Sequence, residues 1–145
     1  MKYGIYYAYW EKEWNGDYKY YIDKISKLGF DILEISCGAF SDYYTKDQEL
    51  IDIGKYAKEK GVTLTAGYGP HFNESLSSSE PNTQKQAISF WKETLRKLKL
   101  MDIHIVGGAL YGYWPVDYSK PFDKKRDLEN SIKNMKIISQ YAEEY

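Results

Sequence analysis

The side chains that could move a proton or hold a metal are scattered along this chain. Its two histidines, His71 and His104, fall in different segments: His71 in a loop after Gly69-Pro70, His104 inside a short apolar run. No imidazole pair stands at a ligand spacing. His104 reads as a packed strand histidine and His71 as a solvated one. Glu34 lies within the apolar stretch from Phe30 to Ile35, where alternation can turn it toward an interior. An ionised carboxylate there is costly unless paired, so Glu34 is expected to be a structural, hydrogen-bonded residue. Glu11 and Glu13 flank a loop ahead of a helix start, where acidic side chains are solvated or favour the helix dipole. The single cysteine, Cys37, leaves no internal disulfide and no Cys-type zinc site. Nucleophile elbow, Walker A loop, zinc-protease spacing and dinucleotide fingerprint are absent from the sequence. The expected catalytic and metal-binding set within these residues is therefore none.

Four strand-to-helix units must position whatever chemistry there is. Tyr3 to Ala8 reads as a first strand. Asp17 then caps a helix with Tyr18, Tyr21, Ile22, Ile25 and Leu28 inward, and Gly29 ends it. A second strand, Phe30 to Ile35, precedes a helix opened by Asp47 with Leu50, Ile53 and Ala57 inward. Val62 to Ala66 is the third strand. The loop Gly67 to Asn82 leads into a helix carrying Ala87, Trp91, Leu95 and Leu98 on one face. Ile103 to Val106 is the fourth strand, and the loop Gly107 to Asp123 precedes a helix with Leu128, Ile132, Met135 and Ile138 inward. The phrases KLGFDILEI, KEKGVTLTAG and KLMDIHIVGG repeat one pattern, a helix end followed by a short apolar strand.

Such alternation predicts an α/β fold with a parallel sheet. A (β/α)₈ barrel needs about 250 residues, so the 145 residues here are expected to be a single domain carrying its first four βα units. The competing architecture is a complete doubly wound, flavodoxin-like sheet. Against it, the first strand leads into YWEKEW and not into a glycine-rich phosphate turn. In either architecture ligands bind beyond the carboxyl ends of the strands. Those ends read Tyr6 to Trp14, Ser36 to Tyr44, Gly67 to Asn73 and Gly107 to Trp114. Two are glycine-rich, and the others supply aromatic walls. The 16 tyrosines and 4 tryptophans suit stacking on sugar faces, and equally suit packing.

Charge excludes some partners. Twenty basic side chains against 21 acidic ones leave no footprint for nucleic acid or an anionic membrane. No apolar run is long enough to span a bilayer, and Glu11, Lys12 and Glu13 follow the start too soon for a signal peptide, so a cytoplasmic protein is expected.

The segments GIYYAYWEKEW, KLGFDILEI, LTAGYGP, SLSSSEP and DIHIVGGALYGYWPVDYSKP resemble the D-psicose (D-allulose) 3-epimerase and D-tagatose 3-epimerase family over the whole chain. The most specific stretch is GGALYGYWPVDYS. The resemblance implies a xylose-isomerase-like TIM barrel, an isomerase of carbohydrate metabolism that assembles as dimers or tetramers. It implies that Mn²⁺ or Co²⁺ holds a free ketose (D-fructose, D-psicose or D-tagatose) while two glutamates exchange the C3 proton through an enediolate. Carried over, the substrate-binding residues are Tyr6, Gly67, Ala109 and Trp114, with Trp14 and Ala66 matched less securely. The metal ligands and catalytic glutamates belong to strands five to eight of such a barrel, so the chain alone is expected to be inactive. Other readings are a hydroxypyruvate or inositol-pathway isomerase of the same superfamily, and a non-catalytic sugar-binding half-barrel. An endonuclease IV relative would need a basic groove that this charge balance does not supply.

Overall fold

In the computed structural model, which describes residues 1–119 and 122–145, the strands are β1 (Gly4–Tyr6), β2 (Ile32–Ser36), β3 (Thr63–Tyr68) and β4 (Val106–Gly108). The helices are α1 (Tyr18–Leu28), α2 (Ala39–Asp42), α3 (Asp47–Glu59), α4 (Pro81–Leu100) and α5 (Lys124–Glu144). The Lys120-Pro121 end of the GGALYGYWPVDYSKP stretch lies outside the described residues. Strand order follows chain order, β1-β2-β3-β4, and β1 with β2 and β2 with β3 pair in parallel. A doubly wound sheet reverses direction at its switch point, whereas a barrel wall adds each strand beside the last. The flavodoxin-like alternative is thereby excluded. Consecutive parallel βα units are the first half of a (β/α)₈ wall, with β1 and β4 as its edges.

The chain divides into two compact units, Met1–Gly67 with Lys97–Val106, and Tyr68–Arg96 with Gly107–Tyr145. In the first, the Asp17 carboxylate accepts the Tyr20 N–H at 3.2 Å and starts α1, and Gly29, at φ 81°, ends it in the left-handed region that glycine adopts without strain. Tyr18, Tyr21, Ile22 and Ile25 are buried as expected. Leu28 is instead exposed, because the Phe30 N–H returns to the Ile25 carbonyl and the chain enters β2 below it. Leu50, Ile53 and Ala57 are the buried face of α3.

Alternation along β2 separates two faces. Leu33 and Ile35 are fully buried, toward the layer that contains α1, while Ile32 and Glu34 are half-buried on the other side. The register Tyr6↔Glu34↔Thr65 puts these three side chains on that second face. Further expectations are corrected in this unit. A short helix, α2, occupies part of the segment read as loop. The fourth strand starts later than Ile103, because Asp102 takes a left-handed φ of 60° at the end of α4 and the Ile103 N–H turns back to Leu98. His104, expected to be packed inside that strand, is exposed and pairs with Asp102 at 2.9 Å.

In the second unit, α4 buries Ala87, Trp91 and Thr94. The Asp123 carboxylate caps α5 by accepting the Lys125 and Arg126 N–H groups, both at 3.1 Å. The apolar stripe predicted for α5 is only in part its buried face: Ile138 is buried as expected, and its neighbours in the stripe are not. Leu128 is 60% exposed and Ile132 48%, while Ser131, Asn134 and Ile138 are buried. The polar residues win because the serine-rich loop before α4 presents backbone carbonyls. Asn134 donates to Leu76 O at 2.8 Å, and Asn130 donates to Ser77 O at 3.3 Å and Ser78 O at 3.2 Å. Buried carbonyls left without donors are costly, so the helix turns its amides inward.

Candidate functional site

Tyrosine hydroxyls fix the loop after β1. The chain leaves β1 through a 3₁₀ turn at Tyr7–Tyr9, and Tyr7, fully buried, donates its hydroxyl to Trp14 O at 2.6 Å. The Tyr44 hydroxyl donates to Gly16 O at 2.6 Å, and Tyr44 stacks on Tyr18 with centroids 4.7 Å apart. Tyr18 in turn donates to Ser36 O at 3.2 Å, tying α1 to the end of β2. A phenylalanine would fill the same space but leave these carbonyls unpaired. Burial is the main reason the Tyr7 and Tyr18 phenols are held well above their ordinary range. Tyr21 is pushed up to about 12, by burial first and then by its hydrogen bond to the Glu11 carboxylate.

That scaffold carries two of the expected substrate residues. Tyr6 and Trp14 lie together, ring centroids 6.3 Å apart, and Trp14 presents 67% of its surface to solvent. Gly67, at the end of β3, is buried, and a Cβ there would come within 2.9 Å of Glu34 Oε1. The absence of a side chain at 67 is the space that the Glu34 carboxylate occupies. Ala66 is fully buried and alternates to the opposite face from Thr65 and Gly67, with its N–H donating to Ile105 O at 3.0 Å. Its side chain therefore packs against the helix layer. Glu34, expected to be paired, has neither a hydrogen-bond partner nor a counterion among the described residues. Burial raises the Tyr6 phenol, the Ser36 side chain offsets part of that by hydrogen bonding, and the Glu34 charge adds to the rise.

In the second unit the loop after β4 is held against the end of β3. The Ala109 N–H donates to Tyr68 O at 3.1 Å, and the Trp114 N–H to Pro70 O at 2.7 Å. Gly108, at φ 106°, passes so close that a Cβ would lie 2.2 Å from Tyr68 O, so no other residue fits. Gly69 admits Trp114 in the same way, with a hypothetical Cβ 2.9 Å from Trp114 Cβ. Trp114 is 61% exposed and precedes a cis Trp114–Pro115 peptide. Beneath them Tyr68 stacks on Phe90 at 5.1 Å and donates to Glu74 Oε2 at 2.7 Å. His71 is exposed, as expected, and its backbone N–H also reaches Glu74 Oε2, at 2.9 Å.

Among the described residues no three His, Cys, Asp or Glu side chains converge in a way that could hold a metal ion. Asp102 and His104 make an exposed pair, and Cys37 is buried with its thiol pushed up to about 12 chiefly by that burial. The Mn²⁺ or Co²⁺ implied by the resemblance finds no ligand set among the described residues. No helix of the described residues is long and apolar enough to cross a membrane. One placement that sequence reasoning left open is the face taken by Glu34. The signal was available in ILEIS, where strict alternation sets the glutamate on the face opposite Leu33 and Ile35.

Consecutive parallel βα units with aromatic and glycine residues gathered after their strands define an α/β-barrel protein of the TIM type. The chain belongs to the xylose isomerase-like TIM barrel family, whose family model matches residues 22–145. It is 56% identical over 144 residues to the D-psicose 3-epimerase of Enterocloster bolteae, covering 99% of this chain and 48% of the relative. It is similar to the structure of D-psicose 3-epimerase with D-tagatose from Clostridium cellulolyticum H10, with a TM-score of 0.95 and 48% identity, covering 99% of this chain and 49% of that one. A D-psicose 3-epimerase structure in the presence of D-fructose matches with a TM-score of 0.94 and 42% identity over the same shares. The chain spans about half the length of the curated relatives it matches.

Proposed function

We propose that the whole protein is a ketose 3-epimerase interconverting D-fructose and D-psicose by exchange of the C3 proton, and that this chain supplies the wall of its substrate pocket. One observation carries the reading: the residues implied as substrate-binding, Tyr6, Trp14, Gly67, Ala109 and Trp114, stand at strand ends or in the loops that follow them, in a chain that matches D-psicose 3-epimerases over nearly all its length. The exposed indoles of Trp14 and Trp114 offer apolar faces to sugar C–H groups, and Tyr6 adds a phenol edge. Gly67 and Ala109 keep side-chain bulk out of the path of the ketose, and Ala66 acts through its backbone by fixing the register of β3. These contacts are made alike to the ground and transition states, so they lower KM more than they raise kcat. The two proton-transfer glutamates and the ligands for Mn²⁺ or Co²⁺ come from outside these residues.

Two further readings belong with this one. A homo-oligomer, dimer or tetramer, rests on the resemblance to the family, since β1 and β4 pair with further strands once the barrel closes. A lone free thiol is the cysteine usage of a reducing compartment and supports a cytoplasmic location.

The test is to incubate the whole protein with D-fructose and Mn²⁺ in D₂O and examine the sugars by NMR. The reading expects D-psicose carrying deuterium at C3. An aldose product, or D-fructose recovered without deuterium at C3, overturns it in favour of another sugar isomerase or a binding protein.

A further inference from the structure

We propose that Glu34 is a specificity-determining residue of the substrate pocket, its carboxylate accepting a hydrogen bond from a hydroxyl on the distal carbons of the ketose. The inference rests on the epimerase reading above and adds to it a residue that the resemblance does not assign.

Three observations place it. Glu34 is in register with Tyr6 on β1 and Thr65 on β3, on the sheet face opposite Leu33 and Ile35, at the middle of β2 and two residues before the carboxyl end, the end at which barrel enzymes bind their ligands. The space it fills exists because residue 67 is glycine: a Cβ there would stand 2.9 Å from Oε1 and 3.3 Å from the carboxyl carbon. And the carboxylate is half-buried with no donor or cation among the described residues, although an ionised carboxylate is an acceptor for about four hydrogen bonds. Its neighbours do not supply them. Ser36 Oγ is turned to the Gly38 N–H, which it accepts at 3.3 Å, and the buried Cys37 thiol is a weak donor.

A half-buried carboxylate without a protein donor keeps its acceptor positions open to a ligand hydroxyl. A polyol brings donors on successive carbons, and the surrounding Tyr6, Ser36, Thr65 and Gly67 are hydroxyl-bearing or small. That lining suits a sugar edge. A basic side chain from elsewhere in the protein is the competing partner, and it predicts different kinetics.

The experiment measures kcat, KM and thermal midpoint for the whole protein and its Glu34→Ala, Glu34→Gln and Gly67→Ala variants. The substrates are D-fructose and its 4-, 5- and 6-deoxy analogues. Glu34→Ala is expected to lower kcat/KM for D-fructose by about 10- to 100-fold, mostly through KM, as loss of a hydrogen bond to a charged group does. For the one analogue that lacks the recognised hydroxyl, wild type and variant should be equal. Glu34→Gln, which keeps an acceptor oxygen, should retain more activity than Glu34→Ala. Gly67→Ala, which moves the carboxylate without removing it, should fall between them.

An equal loss on every sugar together with a lowered thermal midpoint overturns the proposal and identifies a basic structural partner. Unchanged kinetics in Glu34→Ala also overturn it. If Glu34→Ala does not fold, Glu34→Gln on the deoxy series decides by the same comparison. A wild-type protein that turns over none of these ketoses defeats the epimerase reading itself, and the role of Glu34 falls with it.

Discussion

The hydroxyl of Tyr7 reaches the backbone carbonyl of Trp14 at 2.6 Å, closing a loop of seven residues with one hydrogen bond from a fully buried ring. This bond fixes where the exposed indole of Trp14 begins. Tyr7→Phe keeps the ring contacts with Tyr6 and Tyr18, at 5.1 and 5.2 Å, and removes only the tether. The expected cost is about 1 kcal/mol of stability in urea unfolding, with faster quenching of Trp14 fluorescence by acrylamide. A variant as stable as wild type would show that the hydroxyl is idle.

Gly108 should be the least replaceable residue of the loop after β4. Its φ of 106° and the 2.2 Å that would separate a Cβ from Tyr68 O leave no room for alanine. Gly108→Ala is expected to destabilise by on the order of 3 kcal/mol, and the neighbouring Gly107, whose Cβ would meet nothing within 4 Å, should accept alanine with far less. Equal costs at the two positions would contradict this placement of the backbone.

Asn134 separates the observed face of α5 from the one its hydrophobic pattern predicts. An apolar-stripe reading makes Asn134→Leu neutral or stabilising. The structure predicts the reverse, since leucine leaves the buried Leu76 carbonyl without its 2.8 Å donor. The expected loss is about 1 to 3 kcal/mol, measured as a lower urea midpoint.

These cases show what the sequence could and could not convey. Helix ends were legible because they depend on local chemistry: Asp17 and Asp123 cap, and Gly29 terminates. The consecutive βα order was legible from the alternation of apolar strands and amphipathic helices. The buried face of α5 was not, because Ser131 and Asn134 are buried by distant loop carbonyls that no local pattern reveals. The exposure of His104 was missed for a similar reason. It follows from the left-handed turn at Asp102, a conformation that aspartate adopts only occasionally. Among the site residues, types and strand-end positions were readable. The fit of the Glu34 carboxylate into the space over Gly67 was not, since it depends on two strands coming into register.

Alkaline pH should unfold this chain earlier than its surface charge suggests. Burial lifts the Cys37 thiol from 9.0 to about 12, and it holds the Tyr7 and Tyr18 phenols above their ordinary 10.0. Between the ordinary and the raised values the unfolded chain has lost protons that the native chain still holds, so stability falls as pH rises. Below about pH 9 these groups are protonated in both states and cost nothing. The urea midpoint is expected to be insensitive to them up to pH 9 and to decline through pH 11. Cys37→Ala should delay the onset toward pH 10. A midpoint that holds steady from pH 9 to 11 would contradict the burial of all three.

The central claim, that this chain builds a ketose pocket wall and leaves proton transfer to residues beyond it, is tested most directly by assaying the purified 145-residue chain beside the whole protein. Both are incubated with D-fructose and Mn²⁺, and the sugars are separated by chromatography. The expected result is D-psicose from the whole protein and none above a metal-only blank from the 145-residue chain. D-psicose formed by the chain alone would mean that it holds a catalytic base and a metal site of its own, and would contradict the account.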